Sequence, residues 1–239
     1  INKKKALSLA DNPNIAFDQL EIFQRKKKGI VQSNICSITE IKTLDKKIKS
    51  TITTDLKRIT SKRKSICGLK FDSPQIMGVL NVTPDSFSDG GLFFDQTKAY
   101  NQASAMIDNG AIIIDVGGES TRPDSKVVDE KEEWRRIENI IVKLKKNFLK
   151  IILSLDTRKS YVMKKGIERG VNIINDVSGL NFDKHSFDVI NSKNIPFVLH
   201  HMQGTPDTMQ KNPSYDDALL DIYDFFEKKI NFCLKKKYK

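Results

Sequence analysis

From residue 71 onward, five short apolar runs punctuate the chain, at residues 76–80, 111–117, 151–155, 171–174 and 195–199. Segments with helical periodicity lie between most of them. A strand that is apolar along its whole length needs cover on both faces, and strands that alternate with helices form parallel sheets. The stretch "TKAYNQASAMIDNG" puts Ala99, Ala103, Met106 and Ile107 on one helical face and stops at Asn109-Gly110. In "DEKEEWRRIENIIVKLKKNF", Asp129 is a candidate N-cap with Glu132 in the capping-box position, and Trp134, Ile137, Ile141, Leu144 and Phe148 repeat at helical spacing. "RKSYVMKKGIERG" closes on Gly170, and "YDDALLDIYDFFEKKINFCL" carries Leu219, Ile222, Phe226 and Ile230 on one stripe. The order is β-α repeated, which leaves two α/β architectures: an open doubly wound sheet, or a (β/α)8 barrel represented by five units of about 32 residues each.

Residues 1–70 read differently. They hold 17 Lys/Arg against 6 Asp/Glu, whereas residues 71–239 hold 24 of each. The formal charge of +11 therefore belongs to the first tract, and the body carries no bias toward polyanions. The tract lacks the interleaved aromatics that stack bases, so a nucleic-acid partner is not expected. The domains expected are 1–70, a basic N-terminal extension, and 71–239, the β/α body. Cys36, Cys67 and Cys233 lie far apart without CxxC spacing, which argues against a disulfide framework or structural zinc and fits a reducing cytoplasm. No apolar run approaches the roughly 18–20 residues that span a bilayer. The opening "INKKKALSLADNP" lacks the apolar core of a signal peptide and begins with Ile, as a piece of a longer sequence would.

In either architecture, ligands bind at the carboxyl ends of the strands. There the chain places Asn81 and the loop "VTPDSFSDGG" with Asp85 and Phe87; then Asp115 inside an apolar run, followed by Thr121-Arg122-Pro123; then Asp156; then Asn175-Asp176; then His200-His201. Any one of these is explained by an N-cap or a turn. Five in succession are not. Carboxylate beside carboxamide suits a flat heterocycle with an amidine-like edge. Arg122 suits an anion, and the oxygen of Asn81 suits a hard divalent cation. The two histidines are adjacent on a strand and point to opposite faces, so they cannot grip one ion together. A core or hydrogen-bonding role is expected for at least one of them.

The stretches "IMGVLNVTPDSFSDGG", "GAIIIDVGGESTRP", "SLDTRK", "INDVSG" and "HHMQGTPDTMQ" resemble, in order and spacing, the dihydropteroate synthase family of the folate pathway, the target of sulfonamides. The resemblance covers about residues 70–235. It implies a TIM (β/α)8-barrel fold, here with about five β/α units, and condensation of 6-hydroxymethyl-7,8-dihydropterin diphosphate with p-aminobenzoate. It further implies Mg2+ held at Asn81, and a pterin pocket with Asp156, Asn175 and Thr121. Asp85, Phe87, Thr121, Arg122 and Pro123 would lie in loops that form the p-aminobenzoate site, and Asp156, Asn175 and Arg122 would carry the chemistry. A homodimer is usual for the family. The family's later motifs, a "DPGxGFGK"-like strand end, an "SRK"-like lysine and a late Arg/His pair, have no counterpart in this sequence. The sequence therefore resembles the family truncated on its C-terminal side, and the chain alone is expected to be inactive or nearly so. The alternative is the pterin-binding module of a methyltetrahydrofolate-dependent methyltransferase, which resembles this family around the Asp and Asn pocket residues but has no use for the long "TPDSFSDGG" and "GGESTRP" loops.

Overall fold

A computed structural model describes residues 5–25, 31–83, 92–120 (backbone only at 92–95), 127–205, 208–209 and 212–238. The chain divides into two compact units, Ile1–Pro74 and Gln75–Lys239.

In the first unit, β1 (Leu7–Ser8) pairs with β2 (Ala16–Phe17), and β3 (Gln19–Arg25) pairs with β4 (Val31–Ser37), both antiparallel. Helix α1 (Lys46–Thr60) begins where the Asp45 carboxylate accepts the Lys47 N–H at 2.8 Å. The buried core is thin: Cys36, Ile41 and Ile52, with Leu20, Ile22, Ile38, Leu44, Ile48 and Leu56 packed around them.

The second unit runs β5 (Met77–Asn81), α2 (Leu92–Asp108), β6 (Ile113–Gly117), α3 (Glu130–Asn147), β7 (Ile152–Asp156), α4 (Ser160–Glu168), β8 (Ile173–Asp176), α5 (Ser186–Lys193), β9 (Phe197–Leu199) and α6 (Ala218–Lys235). Its five strands are all parallel, and each pairs with the next in sequence, β5-β6-β7-β8-β9. A doubly wound sheet reverses direction at a switch point, and this order never does. The second unit is an arc of five consecutive β/α units of a TIM barrel.

The register sorts the side chains. Leu80, Ile114, Val116, Leu153, Leu155 and Ile174 face the helices and are wholly inaccessible, packed with Ala99 and Ala103 of α2, Ile137, Ile140, Ile141 and Leu144 of α3, Val162 and Met163 of α4, and Ile190 of α5. Each buried Leu, Ile, Val or Met among them contributes about 1.5–3 kcal/mol of burial. The opposite face carries Met77, Val79 and Val198, all exposed.

Three local results refine the periodicity reading. Asp129 does cap α3, accepting from Lys131 N and Glu132 N, but Glu132 turns outward to Arg135 and Arg136 instead of completing the box. Helix α5 carries no long apolar stripe. It is short and rests on Phe187 and Ile190, with a left-handed Asn194 closing it. On α6 the expected stripe holds in its middle, where Ile222 and Phe226 are half-buried and Phe226 meets Phe225 edge-on, and fails at its two ends. Leu219 and Ile230 are 57% and 50% exposed, while Phe225 meets His201, Lys229 reaches Asn181 and Phe232 meets Phe187. Among the described residues, no helix is long and apolar enough to cross a membrane.

Candidate active site at the carboxyl ends of the strands

One register row runs across the open face at the carboxyl end of the sheet: Asn81, Gly117, Asp156, Asn175 and Val198, each the lateral neighbour of the next. Three residues singled out from sequence, Asn81, Asp156 and Asn175, thus fall side by side on three different strands. Gly117 leaves a gap between two of them: a Cβ there would lie 3.4 Å from both Asn81 Oδ1 and Asp156 Oδ2. Two oxygen donors therefore flank an open cradle. One layer deeper, Asp115 lies between Val79 and Ser154.

Asn175 is held from both sides. Its Nδ2 donates to Asp115 Oδ2 at 2.8 Å, and its Oδ1 lies 2.6 Å from His200 Nε2. His201, on the other side of the chain, stands edge-on to Phe225 with ring centroids 4.8 Å apart. The two histidines, both just past β9, part to different surroundings, one to the site and one to packing.

The row is electrostatically loaded. Burial, with the nearby carboxylates of Asp115, Glu133, Asp176 and Glu119, pushes Asp156 up to about 8. Burial also raises Asp115, against the opposing pull of Ser154, Asn175 and His200. Asp176 is raised by burial as well, but its oxygens serve the turn after β8, accepting from Ser178 N, Ser178 Oγ and Leu180 N. That is the local capping role expected of an Asp after a strand.

Behind the row lies a buried ion cluster that pattern reading passed over. Glu119, just past β6, accepts from Arg158 Nη2 at 3.1 Å and Lys159 Nζ at 2.5 Å, and Lys159 also bonds Glu133 of α3. Arg158 lies over the Phe182 ring, 4.1 Å from its centroid. Burial pushes Glu119 up, but Lys159 and Arg158 outweigh it and the net shift is down. Glu133 stays raised because its burial exceeds what Lys159 returns. Gly118 makes the close approach possible, since a Cβ there would meet the Glu133 carbonyl oxygen at 2.8 Å. The signal was present: Glu133 sits on the same helical face as Ile137, Ile140, Ile141 and Leu144, and a charge on an apolar stripe needs a partner.

Glu119 Oε1 also accepts Val128 N at 3.2 Å, so one carboxylate touches both flanks of the segment 121–126. Thr121, Arg122 and Pro123 in that segment, and Asp85 and Phe87 after β5, lie outside the described residues. Among the described residues, no group of three or more His, Cys, Asp or Glu could hold a metal ion.

Comparison with known proteins gives the family. The family model described as "Pterin binding enzyme" matches residues 77–236. Dihydropteroate synthase of Haemophilus influenzae is 41% identical over 166 residues, covering 70% of this chain and 60% of the relative. That of Clostridium beijerinckii is 45% identical over 158 residues, covering 66% and 56%. Among solved structures, Yersinia pestis dihydropteroate synthase with a sulfonamide drug complex superposes with a TM-score of 0.66 at 40% identity, covering 72% of this chain and 62% of that one. Clostridium difficile dihydropteroate synthase in the presence of pteroic acid gives 0.63 at 42% identity, covering 69% and 60%. The chain thus spans about 60% of the length of the curated relatives it matches. A strand row that gathers Asn81, Asp156 and Asn175, inside a region matched from 77 to 236, identifies the chain as a member of the pterin binding enzyme family.

Proposed function

We propose that this chain carries the pterin-side part of a dihydropteroate synthase site. The observation that carries the reading is the row Asn81–Gly117–Asp156–Asn175, with a half-buried carboxyl that keeps its proton to about pH 8 beside a carboxamide held at both ends. Such a pair offers acceptors and donors side by side, as the nitrogen-rich edge of a pterin requires. An N–H donor or a positive charge arriving there favours the ionised form of Asp156 and brings the carboxyl down.

In the reaction, the C–O bond between the pterin methylene and the diphosphate breaks and pyrophosphate leaves with the electron pair. The amine of p-aminobenzoate attacks the methylene carbon and loses a proton, giving 7,8-dihydropteroate. Asn175 and Asp156 orient the pterin. Arg122, with Asp85, Phe87, Thr121 and Pro123, belongs to the arylamine side. Mg2+ fits the residues present: Asn81 Oδ1 beside the Gly117 gap would hold it, with diphosphate and water oxygens completing its shell. When bound, it supplies charge neutralisation for the leaving diphosphate. The small-molecule partners are the pterin diphosphate and p-aminobenzoate, within a homodimer in the cytoplasm. The basic tract 1–70 is a separate domain from the body 71–239. The relatives reported above are dihydropteroate synthases, which does not favour the methyltransferase-module alternative.

The test has two readouts on the folded chain. Titration with 6-hydroxymethylpterin, followed by fluorescence, is expected to show saturable binding that Asp156→Asn weakens about tenfold or more. Incubation with both substrates and Mg2+ is expected to give little p-aminobenzoate-dependent pyrophosphate release from this chain alone. Folded chain that ignores the pterin would sink the proposal. Rapid release would show that the five units suffice for turnover.

A further inference from the structure

We propose that His200 is a positioning residue, which uses its Nε2–H to lock the Asn175 carboxamide in the one orientation that offers a ligand an N–H donor. The inference rests on the pterin reading only for the identity of that ligand. Two distances lead to it. Asn175 lies between a carboxylate oxygen of Asp115 at 2.8 Å and an imidazole nitrogen of His200 at 2.6 Å. Asp115 Oδ2 accepts there, so the amide nitrogen faces Asp115 and the amide oxygen faces His200. The imidazole must then donate from Nε2, in its neutral tautomer or as the cation.

An isolated Asn can flip its amide at little cost and read either a donor or an acceptor. Here a flip would set the Asn175 oxygen against the Asp115 carboxylate and the amide nitrogen against the His200 N–H. Two hydrogen bonds would be lost at once, in a half-buried site where an unmet polar group is costly. The second N–H of Asn175 meets no hydrogen-bond partner among the described residues. It is the group left for a ligand acceptor, such as a ring nitrogen. His200 reaches this position from the first residue past β9, two residues beyond Val198, the row neighbour of Asn175. It acts through Asn175 and needs no contact with the reacting atoms.

The experiment uses the full chain and its His200→Leu, His200→Gln, Asn175→Ala and His200→Leu/Asn175→Ala variants, with 6-hydroxymethylpterin as the probe. His200→Leu, which has no donor, should weaken binding about tenfold, the worth of one hydrogen bond in such a site. His200→Gln restores a donor and should stay within about threefold of wild type. In the Asn175→Ala background, His200→Leu should add nothing further. Additive losses, or equal losses in Leu and Gln, would overturn the proposal. Wild-type chain that binds no pterin refutes the functional reading instead. The tautomer then decides this one: two-bond 1H–15N correlations of the ligand-free chain should show a protonated Nε2 on His200. A ring protonated on Nδ1 alone would mean a flipped amide with a protonated Asp115 donating to it, and would overturn the proposal equally.

Discussion

The two faces of the parallel sheet in the second unit follow opposite rules. Toward the helices, Leu80, Ile114, Val116, Leu153, Leu155 and Ile174 are sealed from solvent and are all aliphatic. On the other face, within the same five strands, stand Val79 at 50% exposure, then Asp115, Ser154, Asp156 and Asn175. The alternation is invisible as polarity at the amino ends of the strands, where both faces are apolar, and becomes legible only toward the carboxyl ends. The helix-facing side holds the fold together, and the open side spends stability on a clustered set of titratable groups.

The largest effect that sharpens this contrast comes from a charge on the sealed side. Lys159→Met leaves Glu119 and Glu133 buried without their shared cation and should cost about 3–5 kcal/mol in urea unfolding. The double variant Lys159→Met/Glu133→Leu should cost less than that single change, and a larger cost would contradict the pairing. Next, Leu155→Ala on the helix side should lose about 2–5 kcal/mol, read as a lower denaturation midpoint at unchanged slope.

On the open face the sign reverses with pH. The unfolded chain ionises Asp156 near 3.8, whereas the fold keeps the proton to about 8. The unfolded state therefore sheds its proton first, and this group costs stability increasingly as pH rises between those values. Asp156→Asn removes that cost. In metal-free buffer the variant should gain on wild type by roughly 2 kcal/mol between pH 4 and pH 8, after allowance for solvent screening at this partly open position. A flat difference across that range would break the comparison. The smallest effect is Val79→Ala, expected to stay within about 0.5 kcal/mol because its side chain already faces water.

Much of this was legible in the residues. Apolar runs and helical stripes gave the β/α alternation, and the strand-end residues Asn81, Asp156 and Asn175 could be singled out before their register was known. Periodicity alone did not decide between the two sheet architectures, because strand order is a long-range property; the family resemblance implied the barrel, and the unbroken β5-to-β9 order agrees with it. Helix α5 was passed over because two buried apolar residues in a short segment, Phe187 and Ile190, make no periodic signal. The α6 stripe holds at Ile222 and Phe226 but not at Leu219 and Ile230, which match helical spacing equally well and differ only in packing, which spacing cannot reveal. Glu133 on an apolar stripe signals that a partner is needed, but the Glu119–Lys159–Glu133 cluster joins residues up to 40 positions apart and no local pattern says which partner it is.

The proton held by Asp156 has one more consequence, and it is thermal. A ligand that brings an N–H donor or a positive charge beside this carboxyl drives that proton off, and the solvent must take it up. The heat of filling the site then contains the heat of protonating the buffer, so titrations in phosphate and in Tris should separate by an amount set by the fraction of a proton released. A pocket of this kind acidifies its surroundings slightly each time it is occupied.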